Sequence, residues 1–175
     1  MGNFYTNVSL RTSERSAVIR HMREQGRACF VSQTNSGCTV VYDRRCEEQD
    51  VNDLEALTLE LSGTLHCAAL AVLNHDDDVL WMGLAQNGRW VTTYDSSQSF
   101  SGSAIQIALT FKVLGLLPLL WLLMRSPFML FEMWRHTAIA WALGLPNFSV
   151  GLGYHYLAQG ERPSSGSADL FENVT

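Results

Sequence analysis

Apolar and polar positions change period several times along the chain, and each change marks an element. FYTNVSLR (Phe4–Arg11) has strand composition. Thr12-Ser13 then supply an N-cap, and SERSAVIRHMREQ reads as a helix ending at Gly26, a natural C′ residue. Its apolar stripe is thin, consisting of Ala17, Val18 and Met22 with Ile19 beside them. RACFVSQ and GCTVVYD follow as two strands joined by Thr34-Asn35-Ser36-Gly37, a hairpin signal. Asp50 caps a second helix in which Leu54, Leu57 and Leu61 recur on one face, and Gly63 ends it. AALAVLNH is a continuous apolar run of the kind found in a strand buried on both faces. VLWMGLAQ and RWVTTYD flank Asn87-Gly88, which suits a type I′ turn because both positions there need φ > 0. The order predicts an α+β fold with a ferredoxin-like βαββαβ core, extended by one β-hairpin.

Beyond residue 95 the pattern becomes helical. SSQSFSGS (Ser96–Ser103) is a polar linker and the one internal boundary. Ala104–Met124 reads AIQIALTFKVLGLLPLLWLLM, long enough to span a bilayer. Lys112 near its middle, the Gly115 and Pro118 break and the lack of flanking basic clusters favour two shorter buried helices separated at LGLLP. Ser126-Pro127 then starts a helix running to Gly144, in which Glu132, Arg135 and His136 form a narrow polar stripe. Phe128, Leu130, Phe131, Met133, Trp134, Ile139 and Trp141 cover the rest, the pattern of a mostly buried helix. Phe148–Leu157 (FSVGLGYHYL) reads as a final strand, and the residues from Gly160 have tail composition. The expected organisation is a sheet domain over 1–95 and a linker over 96–103. A helical segment with its final strand packs back on the sheet over 104–160, and a flexible tail occupies 161–175.

Composition narrows the function. Of 175 residues, 47% are apolar, so a packed core is expected. The net charge of −5 is uneven: residues 1–45 balance at +4, residues 46–95 at −9, and the remainder at zero. The basic excess comes largely from Arg15, Arg20, Arg23 and Arg27 around one helix, where a solvated face is expected rather than a nucleic-acid stripe. Cys29, Cys38, Cys46 and Cys67 form no CxxC pair, which speaks for reduced thiols in a cytoplasmic protein without structural zinc. MGNFYTNVSL has no apolar leader core. Gly2 and Thr6 match the spacing of an N-myristoylation site, but no polybasic run follows, and Phe4, Tyr5, Val8 and Leu10 suit a first strand.

MGNFYTNVSLR, LAVLNHDDDVLW, the hairpin ending in YDSS and RHTAIAWALGLPNFSVGLGYHYL together resemble a family of small bacterial proteins of unknown function. The resemblance spans most of the chain outside the linker and tail, and it implies a soluble bacterial protein without site residues to carry over. This chain is more apolar around Leu116–Met124 than the family pattern.

Several side chains are candidates for chemistry. His75 with Asp76, Asp77 and Asp78 offers the oxygen-rich set that Mg²⁺ or Mn²⁺ would need in a metal-dependent hydrolase, with His155 as a further partner. Neighbouring strand residues point to opposite faces, and no Glu closes an EF-hand loop, so a turn between strands explains the acids more simply. Arg135-His136 could serve acid–base work, although a His on an apolar helix is more often a core residue with one hydrogen bond. Alternation in a strand places Tyr154 and Tyr156 on one face and His155 on the other. The five tryptophans, Trp81, Trp90, Trp121, Trp134 and Trp141, suit a core. Gly151-Leu152-Gly153 lacks the rest of a dinucleotide fingerprint, and no nucleophile elbow or P-loop occurs. The expectation is a non-enzymatic binding protein without cofactor, contacting a protein partner or a second copy of itself. His75, Asp76, Asp78, Arg135, His136 and His155 are its candidate binding residues, and a membrane anchor at 104–124 is a further alternative.

Overall fold

A computed structural model describes residues 2–98, 101–126, 131–163 and 170–175. Seven strands form one open antiparallel sheet in the order β6-β5-β4-β1-β3-β2-β7. They are β1 (Tyr5–Leu10), β2 (Cys29–Ser32), β3 (Thr39–Asp43), β4 (Ala68–His75), β5 (Val79–Gln86), β6 (Arg89–Asp95) and β7 (Phe171–Val174). β1 is central, with β3 on one side and β4 on the other, and all six of its residues are therefore buried.

Alternation along the strands divides the core in two. Val8, Leu10, Val31, Val41, Ala69, Ala71 and Trp81 point to one face, under α1 (Arg15–Glu24) and α2 (Val51–Thr64). α2 forms where expected, since the Asp50 carboxylate accepts from the Asn52 N–H at 2.8 Å and Leu54, Leu57 and Leu61 are buried. The opposite face presents Tyr5, Leu70, Val72, Leu80, Met82 and Tyr94 to a second helical layer. That layer holds α3 (Ala104–Phe111), α4 (Leu117–Arg125) and α5 (Glu132–Leu143), with α3 beside α4 and α4 beside α5. Lys112 at φ 59° and a short 3₁₀ turn over Leu114–Leu116 separate α3 from α4. Among the described residues, no helix is long and apolar enough to cross a membrane. The Ser126-Pro127 start expected for the next helix falls partly outside the described residues, and α5 is helical from Glu132.

Two expectations near the end of the chain are corrected. The final strand expected over Phe148–Leu157 is instead a 3₁₀ turn, Asn147–Ser149, followed by the short helix α6 (Tyr154–Ala158). Gly151, at φ 74°, bends the chain, and the Glu47 carboxylate accepts from the Tyr154 N–H at 2.5 Å, fixing the first turn. The last strand lies in the expected flexible tail, where Phe171–Val174 pairs with the outer edge of β2. Val174 is buried beneath α1, Phe171 meets the rings of Tyr42 and Phe148, and Glu172 bonds Arg23 at 2.9 Å and lies 3.5 Å from Arg15.

Candidate functional site

The run NHDDD makes a tight turn. His75 pairs with Val79, Asp76 and Asp77 take left-handed conformations at φ 54° and 60°, and the Asp78 N–H donates to the His75 carbonyl at 3.0 Å. Aspartate tolerates that region better than most residues. The three carboxylates do not converge. Asp77 turns inward and accepts from Asn74 Nδ2 at 2.8 Å, Asn3 Nδ2 at 3.3 Å and the Asn3 N–H at 3.4 Å. Its carbonyl accepts from the Glu132 N–H at 2.9 Å, joining the turn to the start of α5. Asp76 packs against Gly2 so closely that a Cβ there would stand 2.5 Å from the Asp76 carbonyl oxygen. Asp78 is exposed. His75 Nδ1 shares a hydrogen bond with Gln49 Oε1 at 2.5 Å, and its ring stands edge-on to Phe4. Among the described residues, no three His, Cys, Asp or Glu side chains are grouped as a metal site.

Arg135 and His136 lie elsewhere, on the sheet-facing side of α5. Arg135 pairs with Glu132 at 2.7 Å and donates to the carbonyls of Leu123 and, at 2.8 Å, Ser126, so it ties the end of α4 to α5. Burial raises the Glu132 carboxyl above its ordinary value against the opposing pull of Arg135. His136 is fully buried, and its Nδ1 shares a 2.8 Å hydrogen bond with the Tyr5 hydroxyl. Desolvation pushes its imidazole down to about 3, which makes it neutral at ordinary pH. The same burial pushes the Tyr5 phenol well up.

His155 occupies a third place, on α6. Its Nδ1 lies 2.5 Å from Glu47 Oε2, while Glu47 Oε1 holds the Tyr154 N–H, so both carboxylate oxygens are engaged. A shallow cavity of about 410 Å³ opens there, lined in part by Arg44, Glu48 and Gln159. Helical geometry separates the two tyrosines expected on one face: Tyr154 packs on Phe30, while Tyr156 lies against His155 with ring centroids 3.8 Å apart. The candidate residues thus fall in three separate places. Nothing local in the sequence signals Glu47, Gln49 or Tyr5, because each meets its partner across at least 26 positions.

The four thiols are buried, and burial raises Cys29 and Cys46 to about 12 and Cys67 to about 11, which leaves those three poor nucleophiles. Three of the four arginines near the first helix hold carboxylates: Arg15 and Arg23 meet Glu172, and Arg27 grips Asp43 through two bonds of 2.8 and 2.9 Å.

The feature with most functional content is the outer side of the helical layer. α5 is inverted relative to expectation: its charged stripe, Glu132 and Arg135 with His136, faces the sheet, while Phe131, Trp134 and Trp141 face out. Trp141 is 70% exposed. The physical reason is the pairing of Glu132 with Arg135 and of His136 with Tyr5, which removes the cost of burying polar groups. α3 presents Ile105 and Leu109 outward, and α4 presents Trp121 and Leu122. Of the five tryptophans assigned to the core, Trp81 is buried and Trp90 half-buried, but Trp121, Trp134 and Trp141 are exposed. A groove of about 510 Å³ runs between α3 and α4, bounded by Ile105, Leu117, Pro118 and Trp121. A second, of about 520 Å³, lies beside Trp141 and Leu145. The chain matches no known family model, curated protein or solved structure.

Proposed function

We propose that the protein is a non-enzymatic binding protein whose working surface is the outer, apolar side of α3, α4 and α5. The observation that carries this reading is the inversion of α5, which buries an Arg, a Glu and a His while leaving two tryptophans and a phenylalanine in solvent. Soluble monomers rarely expose a contiguous apolar patch above about 300–600 Å², and aromatic residues dominate the energetics of protein contacts. The partner is a protein rather than nucleic acid, because this side carries aromatic and aliphatic groups with only two described bases near it, exposed Lys112 just past α3 and half-buried Arg125. The engagement of Asp77, Arg135, His136 and Glu47 in structural hydrogen bonds supports the non-enzymatic reading. The adjacency of β4, β1, β3 and β2, all antiparallel, supports a ferredoxin-like unit over residues 1–95 as the scaffold.

The test is site-specific photocrosslinking in living cells, with a photoreactive phenylalanine at position 134 or 141 and, as a control, at exposed position 20 on α1. Adducts of increased mass from positions 134 and 141, but not from 20, are expected. Free monomer from all three positions would overturn the proposal.

A further inference from the structure

We infer that the occupant of this surface is a second copy of the same chain, docked about a two-fold axis so that Trp141 of each copy enters the apolar groove of the other. This rests on the reading of the outer helical face as the working surface and commits it to one partner.

Area is the first argument. A buried aromatic side chain removes roughly 150–250 Å² from water, and the exposed aromatics Phe131, Trp121, Trp134 and Trp141 are each about half or more accessible. With the outward aliphatics of α3 and α4, the face offers on the order of 800 Å² per copy, the amount each side of a stable interface contributes. Shape is the second argument. A two-fold contact needs a surface that complements itself, and this one carries both a projecting side chain and grooves of about 510 and 520 Å³. Charge is the third. Along α3, α4 and α5 the described acid, Glu132, is buried against Arg135, so two copies apposed here meet no facing carboxylates. An anionic bilayer would need a basic cluster, whereas the described bases near this face are Lys112, just past α3, and half-buried Arg125 at the edge of the groove, and residues 46–95 carry a balance of −9.

The experiment is sedimentation equilibrium of the purified full chain at micromolar concentration, beside Trp141→Asp, Leu109→Lys and the control Arg20→Asp. The wild type and control are expected near twice 19.6 kDa. Each face variant is expected to dissociate with a constant raised about thirtyfold or more, the loss typical of a central interface residue. Both face positions are exposed, so circular dichroism and melting temperature should match the wild type, and dissociation of either folded variant suffices. A monomeric wild type, or a dimer unaffected by both face variants, would overturn the inference. So would co-sedimentation of the wild type, but not Trp141→Asp, with phosphatidylcholine–phosphatidylglycerol vesicles. Adducts in cells from positions 134 and 141 alongside a monomeric purified chain would refute the second copy and leave the binding surface standing. Free monomer in both experiments would remove both.

Discussion

At the scale of single residues, burial decides the behaviour of the candidate chemistry. His136 is neutral when folded, with an imidazole near 3, but titrates near 6.5 in the unfolded chain. The unfolded state therefore binds more protons between those values, and stability is full above about 6.5 and falls as pH drops toward 3. In urea titrations from pH 7 to 4, the wild type should lose stability faster than His136→Met, by up to about 1.4 kcal/mol per pH unit. Equal slopes would show that His136 is solvated. The aspartate turn makes a second prediction. Asp77→Ala removes the acceptor of three hydrogen bonds and an αL-tolerant residue, and should cost about 2–3 kcal/mol, seen as a melting temperature several degrees lower. Asp78→Ala, on an exposed side chain, should stay within about 0.5 kcal/mol. Mg²⁺, Mn²⁺ or chelator should leave the melting temperature of the wild type unchanged. The turn itself was legible in NHDDD because aspartate favours such backbone locally. That Asp77 alone would be recruited inward was not, since Asn3 lies 74 positions away.

Elements followed local signals when those signals were local in cause. The Asn87-Gly88 turn, with φ 51° and 74°, and the Asp50 cap depend on neighbours within a few positions and formed where the pattern put them, while the break expected at LGLLP came slightly earlier, at Lys112–Leu116, with Pro118 taken into the first turn of α4. The end of the chain followed tertiary partners instead. GLGYHYL alternates like a strand, yet Glu47, 107 positions earlier, fixes Tyr154 at the start of a helix. The short apolar–polar run LFENV was hidden behind the polar composition of the residues preceding it. Its placement predicts that deleting residues 170–175 uncovers the edge of β2 and removes Val174 from beneath α1. The truncated protein should melt several degrees lower and aggregate on heating, because an unpaired strand edge is a template for another chain. Backbone amides of β2 should also lose protection from hydrogen exchange, and unchanged protection would show that β7 contributes no cover.

For the whole molecule, the inverted α5 was the least legible feature. Counting apolar positions over 104–143 reveals more of them than a small chain can bury, but not which stripe turns inward. That choice depends on Tyr5 and on the carbonyls at the end of α4, which offer the polar stripe its partners. The arrangement predicts that Trp134→Ser raises the solubility limit while changing melting temperature by no more than about 0.5 kcal/mol equivalent, measured at a concentration where the protein is monomeric.

The central position of β1 also constrains the order in which the chain can acquire its structure. β1 pairs on one side with a strand some thirty positions later and on the other with β4, where Tyr5 meets Asn74. Neither partner exists when β1 emerges, and closing such long loops precedes any reward from pairing. β1 can therefore gain its first partner only once β3 is made and its second only once β4 is made, and the outer edge of β2 waits longer still for Phe171–Val174. Folding of this kind is slow and leaves apolar strands such as Tyr5–Leu10 exposed on the way.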